Sequence, residues 1–125
     1  MTQGPARPRV FLVEDEMMIS IMLEDMLSEL GYDTLGPARH LDDAKRLASE
    51  VEADVAILDL NLNGESSVEV AEILAQRNIP FIFATGYDRA NHTAALAHVP
   101  CVQKPFEQKG LMAALKKAVT AERTG

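Results

Sequence analysis

Short, continuously apolar runs alternate with amphipathic stretches along this chain. Three runs are rich in β-branched or aromatic residues, at positions 10–13, 55–58 and 81–84. Continuous apolar runs are typical of strands that are covered on both faces, as in a parallel sheet. Two weaker segments, 33–36 and 100–103, are consistent with an edge strand and a final strand. The pattern therefore predicts five strands.

Apolar residues at helical spacing fill the intervals between these runs. The first helix has apolar residues at 19, 22, 23, 26, 27 and 30, places Ser20 on its polar side, and ends at Gly31. Further helices are predicted at 41–51, 67–77 and 109–121, with Ser66 or Ser67 as the N-cap of the third. A weakly apolar, loosely held helix is predicted at 88–98. Five strands alternating with five helices predict an α/β fold with a doubly wound parallel sheet.

Length and charge narrow the possible functions. The 125 residues suffice for one domain with one core, which we expect at 9–121 between a disordered N-terminal tail at 1–8 and a C-terminal tail at 122–125. Twelve basic and nineteen acidic residues give a formal net charge of −7, which disfavours direct binding to nucleic acid or anionic membranes. No membrane span or signal peptide is recognisable, and the single cysteine fits a reducing compartment, so we expect a cytoplasmic protein.

Chemically active side chains follow the predicted strands. Glu14 and Asp15 follow the first run, Asp59 the central run, Thr85 the fourth and Lys104 the last. Working residues of open α/β sheets lie at the carboxyl ends of the strands, so we expect these groups to meet. Carboxylates this close repel one another unless a cation intervenes, and oxygen ligands suit Mg²⁺. The sequence thus predicts a phosphoryl-handling site with Asp59 as the nucleophile.

In combination these motifs resemble the receiver domain of two-component response regulators, which has a flavodoxin-like sheet with strand order 2-1-3-4-5. The resemblance rests on four signals in this order: Glu14-Asp15, Asp59, Thr85 and Lys104-Pro105-Phe106. It implies that Asp59 accepts a phosphoryl group from a histidine kinase or a histidine phosphotransfer protein. It also implies that the protein is a phosphoacceptor and not an enzyme with rapid turnover.

The same resemblance implies how each group is used. Asp15 and Asp59 would bind Mg²⁺ directly, Glu14 would bind it through water, and the backbone carbonyl of Asn61 would be a further ligand. The phosphoryl oxygens would be contacted by Lys104, the Thr85 hydroxyl and the backbone N–H groups of Leu60 and Gly86.

A closer resemblance lies in residues 80–87, PFIFATGY, which are similar to the FATGUY subgroup of receivers. Members are often single-domain regulators or lie beside kinases of the HWE type, which implies output in trans through a downstream protein, as a monomer or weak dimer. Cys101 replaces the aromatic residue that usually turns inward on phosphorylation, and Asn63-Gly64 replaces the usual Pro-Gly. Tyr87 could flank the site.

Three alternatives stay open. The protein could be a phosphate sink or shuttle without an output conformation. It could be a phosphorylation-independent interaction module that uses Met17, Met18, Met22 and Met26, although these methionines are predicted mainly as core residues. It could be a phosphohydrolase of the haloacid-dehalogenase kind, but that class needs a second Asp where Asn61 stands.

Overall fold

The computed structural model describes residues 7–85, 101–103 and 108–124. The strands are β1 (Arg9–Val13), β2 (Asp33–Ala38), β3 (Val55–Asp59), β4 (Asn61–Leu62), β5 (Glu65–Ser66), β6 (Phe81–Thr85) and β7 (Cys101–Gln103). The helices are α1 (Met17–Leu30), α2 (Leu41–Ala48), α3 (Val68–Gln76) and α4 (Gln108–Thr124).

Five of the strands form one parallel sheet in the order β2-β1-β3-β6-β7. This is the predicted order 2-1-3-4-5, and the predicted fold class is confirmed. The two remaining strands, β4 and β5, pair with each other in a short antiparallel hairpin. The fourth predicted helix, at 88–98, lies outside the described residues.

Alternate residues of the inner strands pack into two separate cores. Val10 and Leu12 of β1 pack with residues of α1 and α4, whereas Phe11 and Val13 pack with residues of α2 and α3. All five residues of β3 are buried. A strand covered on both faces needs apolar residues at every position, which explains the continuous apolar runs of the sequence.

The edge strand β2 is two residues longer than predicted, and Gly36 makes the extension possible. Gly36 has φ +99°, and a Cβ at this position would lie 2.9 Å from the carbonyl oxygen of Leu12. Only glycine allows both this conformation and this approach. The strand therefore continues to Ala38, whose carbonyl oxygen accepts the backbone N–H of Glu14 at 3.0 Å.

Helix α1 shows two departures from the predicted amphipathic pattern. Ser20 is buried, and its hydroxyl donates to the carbonyl oxygen of Met17 at 2.8 Å, so the buried hydroxyl is satisfied within the helix. Met17 and Met18, predicted as core, are 59% and 82% exposed, and Ile21 is 51% exposed. At about 100° per residue these three lie opposite the inward-facing side of the helix.

Helix α1 ends where the sequence predicted, whereas helix α4 extends beyond its predicted end. Gly31 ends α1 in the left-handed region with φ 96°, as predicted. Helix α4 continues to Thr124, past the predicted end at 121, because neither Gly nor Pro interrupts residues 111–124. Within the described segments, no helix is both long and apolar enough to cross a lipid bilayer.

Arg7, which lies in the predicted N-terminal tail, is tied to the end of α1. Its guanidinium donates to the carbonyl oxygens of Ser28, Gly31 and Tyr32 at 3.0 to 3.2 Å. It also forms an ion pair of 3.3 Å with Asp33 at the start of β2. The ordered contacts thus begin at least two residues ahead of β1.

Candidate functional site

Four carboxylates converge at the carboxyl edge of the sheet. Glu14, Asp15, Glu16 and Asp59 each offer an oxygen within 4.8 Å of the others. The pairing of Val13 with Leu58 places Glu14 beside Asp59 at the ends of two adjacent strands. Glu14 is 1% and Asp59 6% exposed, whereas Glu16 is exposed. The structure therefore brings together the three acidic residues that the sequence predicted to meet.

Backbone N–H groups orient three of these carboxylates. Each accepts one backbone N–H at 3.1 Å: Glu14 Oε2 from Glu16, Asp59 Oδ1 from Asn61, and Asp15 Oδ2 from Asn63. Hydrogen bonds to an ionised acceptor are stronger than those between two neutral groups. The loops around the site thus supply fixed hydrogen-bond donors to carboxylates that repel one another.

The β4–β5 hairpin carries two of these donors. Its two central residues have positive φ, 55° at Asn63 and 85° at Gly64, the combination of a type I′ turn. The Gly64 N–H donates to Asn61 Oδ1 at 2.8 Å, and the fully buried Leu62 anchors the hairpin in the core. The sequence predicted the tight turn at Asn-Gly but not the strand pairing on either side of it.

Ser67 holds the main chain of Asp59. It is fully buried, and its hydroxyl donates to the Asp59 carbonyl oxygen at 2.6 Å. Its backbone N–H donates to the Leu60 carbonyl oxygen at 3.1 Å. Ser67 is the N-cap residue of α3, as predicted for one of the two serines, although its hydroxyl makes no cap hydrogen bond. Ser66 Oγ accepts the Val68 N–H instead, at 3.2 Å.

The remaining predicted residues divide between described and undescribed positions. Leu60 is half-buried and Asn61 is exposed, directly after Asp59. Thr85 ends β6 one residue beyond Ala84, which pairs with Asp59, so its backbone lies at the same edge of the sheet. Gly86 and Lys104 lie outside the described residues.

Glu16 is the member of the cluster that the sequence reasoning missed. It is the N-cap residue of α1, and its carboxylate belongs to the group of four. The available signal was the run of three acidic residues after β1, of which only the first two were chosen. Its position depends on where α1 begins, and the apolar pattern did not specify that start.

The donor set fits a hard divalent cation. Two full negative charges about 5 Å apart repel by about 3 kcal/mol at an effective dielectric constant of about 20. Several such pairs destabilise the site unless positive charge is supplied. Carboxylate oxygens with a nearby backbone carbonyl are the ligands that Mg²⁺ takes in proteins, usually beside a phosphoryl group.

A doubly wound sheet of this order, with an acidic cluster at its carboxyl edge, defines the class of α/β domains that can bind a divalent cation where phosphoryl groups are handled. Residues 10–116 match the family described as the response regulator receiver domain. The chain belongs to this family. The family match leaves the haloacid-dehalogenase alternative without support.

Relatives and solved structures agree with this assignment. The transcriptional regulatory protein PdtaR of Mycobacterium tuberculosis is 31% identical over 122 residues, covering 92% of this chain and 58% of PdtaR. The phyllosphere-induced regulator PhyR of Methylorubrum extorquens is 30% identical, covering 88% of this chain and 43% of PhyR. The chain thus spans about half the length of these curated relatives.

Two solved structures cover almost the whole chain. The solution structure of SdrG from Sphingomonas melonis has 38% identity and a TM-score of 0.79, covering 95% of this chain and 98% of SdrG. The receiver domain of PhyR from Erythrobacter litoralis has 29% identity and a TM-score of 0.80, covering 92% of each chain. Receiver domains are typically phosphoacceptors, bind Mg²⁺ at their acidic pocket and have a histidine kinase as partner.

Proposed function

We propose that this chain accepts a phosphoryl group on Asp59 and then signals by binding a downstream protein. The donor is a histidine kinase, of the HWE type, or a histidine phosphotransfer protein, and the transfer requires Mg²⁺. The observation that carries the proposal is the position of Asp59, at the end of the central buried strand and beside Glu14 and Asp15. The proposed location is the cytoplasm, where ATP-consuming kinases form phosphohistidine.

The proposed reaction is nucleophilic attack by the Asp59 carboxylate on the phosphorus of a phosphohistidine. An oxygen–phosphorus bond forms while the phosphorus–nitrogen bond breaks, and the electron pair leaves with the imidazole. Asp59 Oδ1 accepts the Asn61 N–H at 3.1 Å, which fixes the rotation of the carboxylate before the donor arrives. Asp15, Asp59, the Asn61 carbonyl and, through water, Glu14 would hold Mg²⁺, and the ion would supply positive charge beside the transferred oxygens.

Four further groups complete the proposed site. The Lys104 ammonium and the Thr85 hydroxyl stabilise the charge that develops on the phosphoryl oxygens. The backbone N–H groups of Leu60 and Gly86 hold the same oxygens. The register of β6 supports this assignment for Thr85, because its backbone lies one residue beyond the partner of Asp59.

The exposed apolar face of α1 supports a direct contact with the donor protein. Met17, Met18 and Ile21 are solvent-exposed, and α1 begins directly after Glu16 of the acidic cluster. A helix carrying the phosphohistidine could pack on this face and still present its imidazole to Asp59. The net charge of −7 accords with a protein partner and not with nucleic acid.

Output through a separate downstream protein is part of this proposal. The similarity to SdrG and PhyR supports the FATGUY assignment of residues 80–87. The proposed quaternary state is a monomer or weak dimer. A phosphate sink or shuttle shares the same chemistry but lacks output, so a partner bound selectively by the phosphorylated form distinguishes the two roles.

The acceptor assignment is tested by replacing Asp59 with Asn. This variant keeps the size and an amide oxygen but loses the nucleophilic carboxylate, so incorporation of label from acetyl phosphate should fall from near one per chain to background. The matched control is Asp54→Asn, at the opposite end of the same strand, where an amide oxygen can still accept the Arg9 N–H. Equal labelling of Asp59→Asn and wild type would refute the assignment.

A further inference from the structure

Asn63 connects two loops of the site that are distant in sequence. Its backbone N–H donates to Asp15 Oδ2 at 3.1 Å, in the loop after β1. Its side-chain Nδ2 donates to the Arg39 carbonyl oxygen at 2.8 Å and lies 3.3 Å from His40 Nδ1, in the loop after β2. One residue of the hairpin is thus bonded on one side to a carboxylate of the cluster and on the other to the main chain.

The left-handed backbone of Asn63 makes both contacts possible. Its φ of 55° is costly for most residues, and asparagine is among the few with a side chain that adopt it readily. In this conformation the N–H points toward Asp15 while the side-chain amide reaches Arg39. A proline at this position would have no N–H to donate and could not adopt a positive φ.

Asp15 needs such a restraint more than Glu14 and Asp59 do. Glu14 and Asp59 are almost fully buried, so the surrounding protein limits their side chains, whereas Asp15 is only partly buried. Repulsion from the other carboxylates would push a partly exposed Asp15 outward into solvent. Its bond to Asn63 opposes that movement, and the Asn63 side chain keeps the hairpin from moving with it.

We propose that Asn63 is a positioning residue that raises the affinity of the acidic cluster for Mg²⁺ by holding Asp15 toward Asp59. The inference rests on the proposed function, since it assumes that Asp15 and Asp59 bind the ion. Hydrogen bonds that orient a ligating carboxylate raise metal affinity because the site then reorganises less on binding. Asn63 itself is not a ligand in this proposal.

The test replaces Asn63 with Gly. Gly-Gly is also a favoured type I′ pair, so the variant keeps the turn and the backbone N–H and loses only the bonds to the Arg39 and His40 loop. The matched control is Asn78→Gly, because Asn78 is also exposed and has φ 61° but lies in the loop before β6, at the other edge of the sheet. Circular dichroism and thermal unfolding establish that both variants are folded.

The expected result is a change in Mg²⁺ binding without a loss of maximal reactivity. By calorimetric titration of the unphosphorylated protein, Asn63→Gly should weaken Mg²⁺ binding about three- to tenfold, the range set by one lost hydrogen bond. Asn78→Gly should bind like wild type. With acetyl phosphate, Asn63→Gly should need correspondingly more Mg²⁺ and reach the wild-type rate at saturation, a split that general destabilisation would not produce.

The outcomes separate this inference from the function on which it rests. Wild-type protein that binds no Mg²⁺ would overturn the proposed metal site and the role of Asn63 with it. If the wild-type protein binds Mg²⁺ and Asn63→Gly binds it with the same affinity, only the proposed role of Asn63 is overturned. Equal weakening in Asn63→Gly and Asn78→Gly would also overturn it, because the effect would then come from glycine and not from the site.

Discussion

Asp59 is held from two sides, through its carboxylate and through its main-chain carbonyl. Asn61 donates to the carboxylate, and the buried Ser67 hydroxyl donates to the carbonyl oxygen at 2.6 Å. The second bond links the end of β3 to the N-cap residue of α3. At the scale of single residues, the position of Asp59 therefore depends on a serine that is not a member of the acidic cluster.

Replacing Ser67 with Ala should destabilise the protein by about 0.5–1.5 kcal/mol, because the hydrogen bond from its hydroxyl to the Asp59 carbonyl oxygen is lost. Urea unfolding followed by circular dichroism measures this change. The control is Ser28→Ala on the exposed side of α1, for which we expect a change within about 0.5 kcal/mol. If Ser67→Ala unfolds at the wild-type urea concentration, the bond carries no net stability.

The sequence predicted the residues of the site better than their restraints. Glu14, Asp15 and Asp59 were predictable because each follows an apolar run, and parallel strands bring such positions to one edge. The contacts of Asn63 and Ser67 were not predictable. Both depend on the exact path of the loop after β3, where several donors and acceptors of similar strength compete.

At the scale of elements, α1 serves the core with one face and remains exposed on another. Leu23 and Leu27 are buried at the spacing that the sequence predicted. The apolar residues Met17, Met18 and Ile21 are exposed, and composition alone suggested that the methionines were core residues. Their placement required knowledge of where the helix begins and how it is rotated against the sheet. The hydrophobic pattern of a helix shows which face packs on the core only when the apolar residues are confined to one face.

Replacing Met18 with Lys should weaken phosphotransfer from a protein donor, because the charge is placed in the proposed apolar contact. With the cognate kinase or phosphotransfer protein, we expect kcat/KM to fall about tenfold, equivalent to about 1.4 kcal/mol. The rate with acetyl phosphate should not change, because Asp59 is untouched. Ala75→Lys, which adds the same charge to an exposed position of α3, is the control. An equal loss in both variants would argue against docking on α1.

At the scale of the whole molecule, packing of the sheet against its helices stabilises the fold, whereas repulsion within the acidic cluster lowers the free energy of unfolding. The strand order was predictable from the alternation of apolar runs and helical patterns, since parallel connections of this kind leave few topologies. The β4–β5 hairpin was not predictable, because two-residue strands carry no periodicity. Like charges held within 4.8 Å of one another cost free energy in the absence of a cation.

Mg²⁺ should therefore stabilise the folded protein. At a concentration ten times its Kd, the ion should raise the free energy of unfolding by about 1.4 kcal/mol, measured by thermal or urea unfolding with and without a chelator. Replacing Asp15 with Asn should abolish this increase and make the metal-free protein more stable than wild type, because one repelling charge is removed. Asp25→Asn, on the exposed side of α1, should keep the full response. A response that survives in Asp15→Asn would remove this carboxylate from the ligand set.

The anchoring of Arg7 has a practical consequence for labelling. Arg7 is fixed to the end of α1 and the start of β2, so the chain enters the fold at the amino edge of the sheet. The acidic cluster lies at the far end of β1, whose five residues span about 16 Å at the usual rise per residue. A fluorophore or affinity handle joined ahead of Arg7 would be attached on the side opposite the carboxylates. Surface immobilisation through that end would leave both the cluster and the exposed methionines open to an incoming protein.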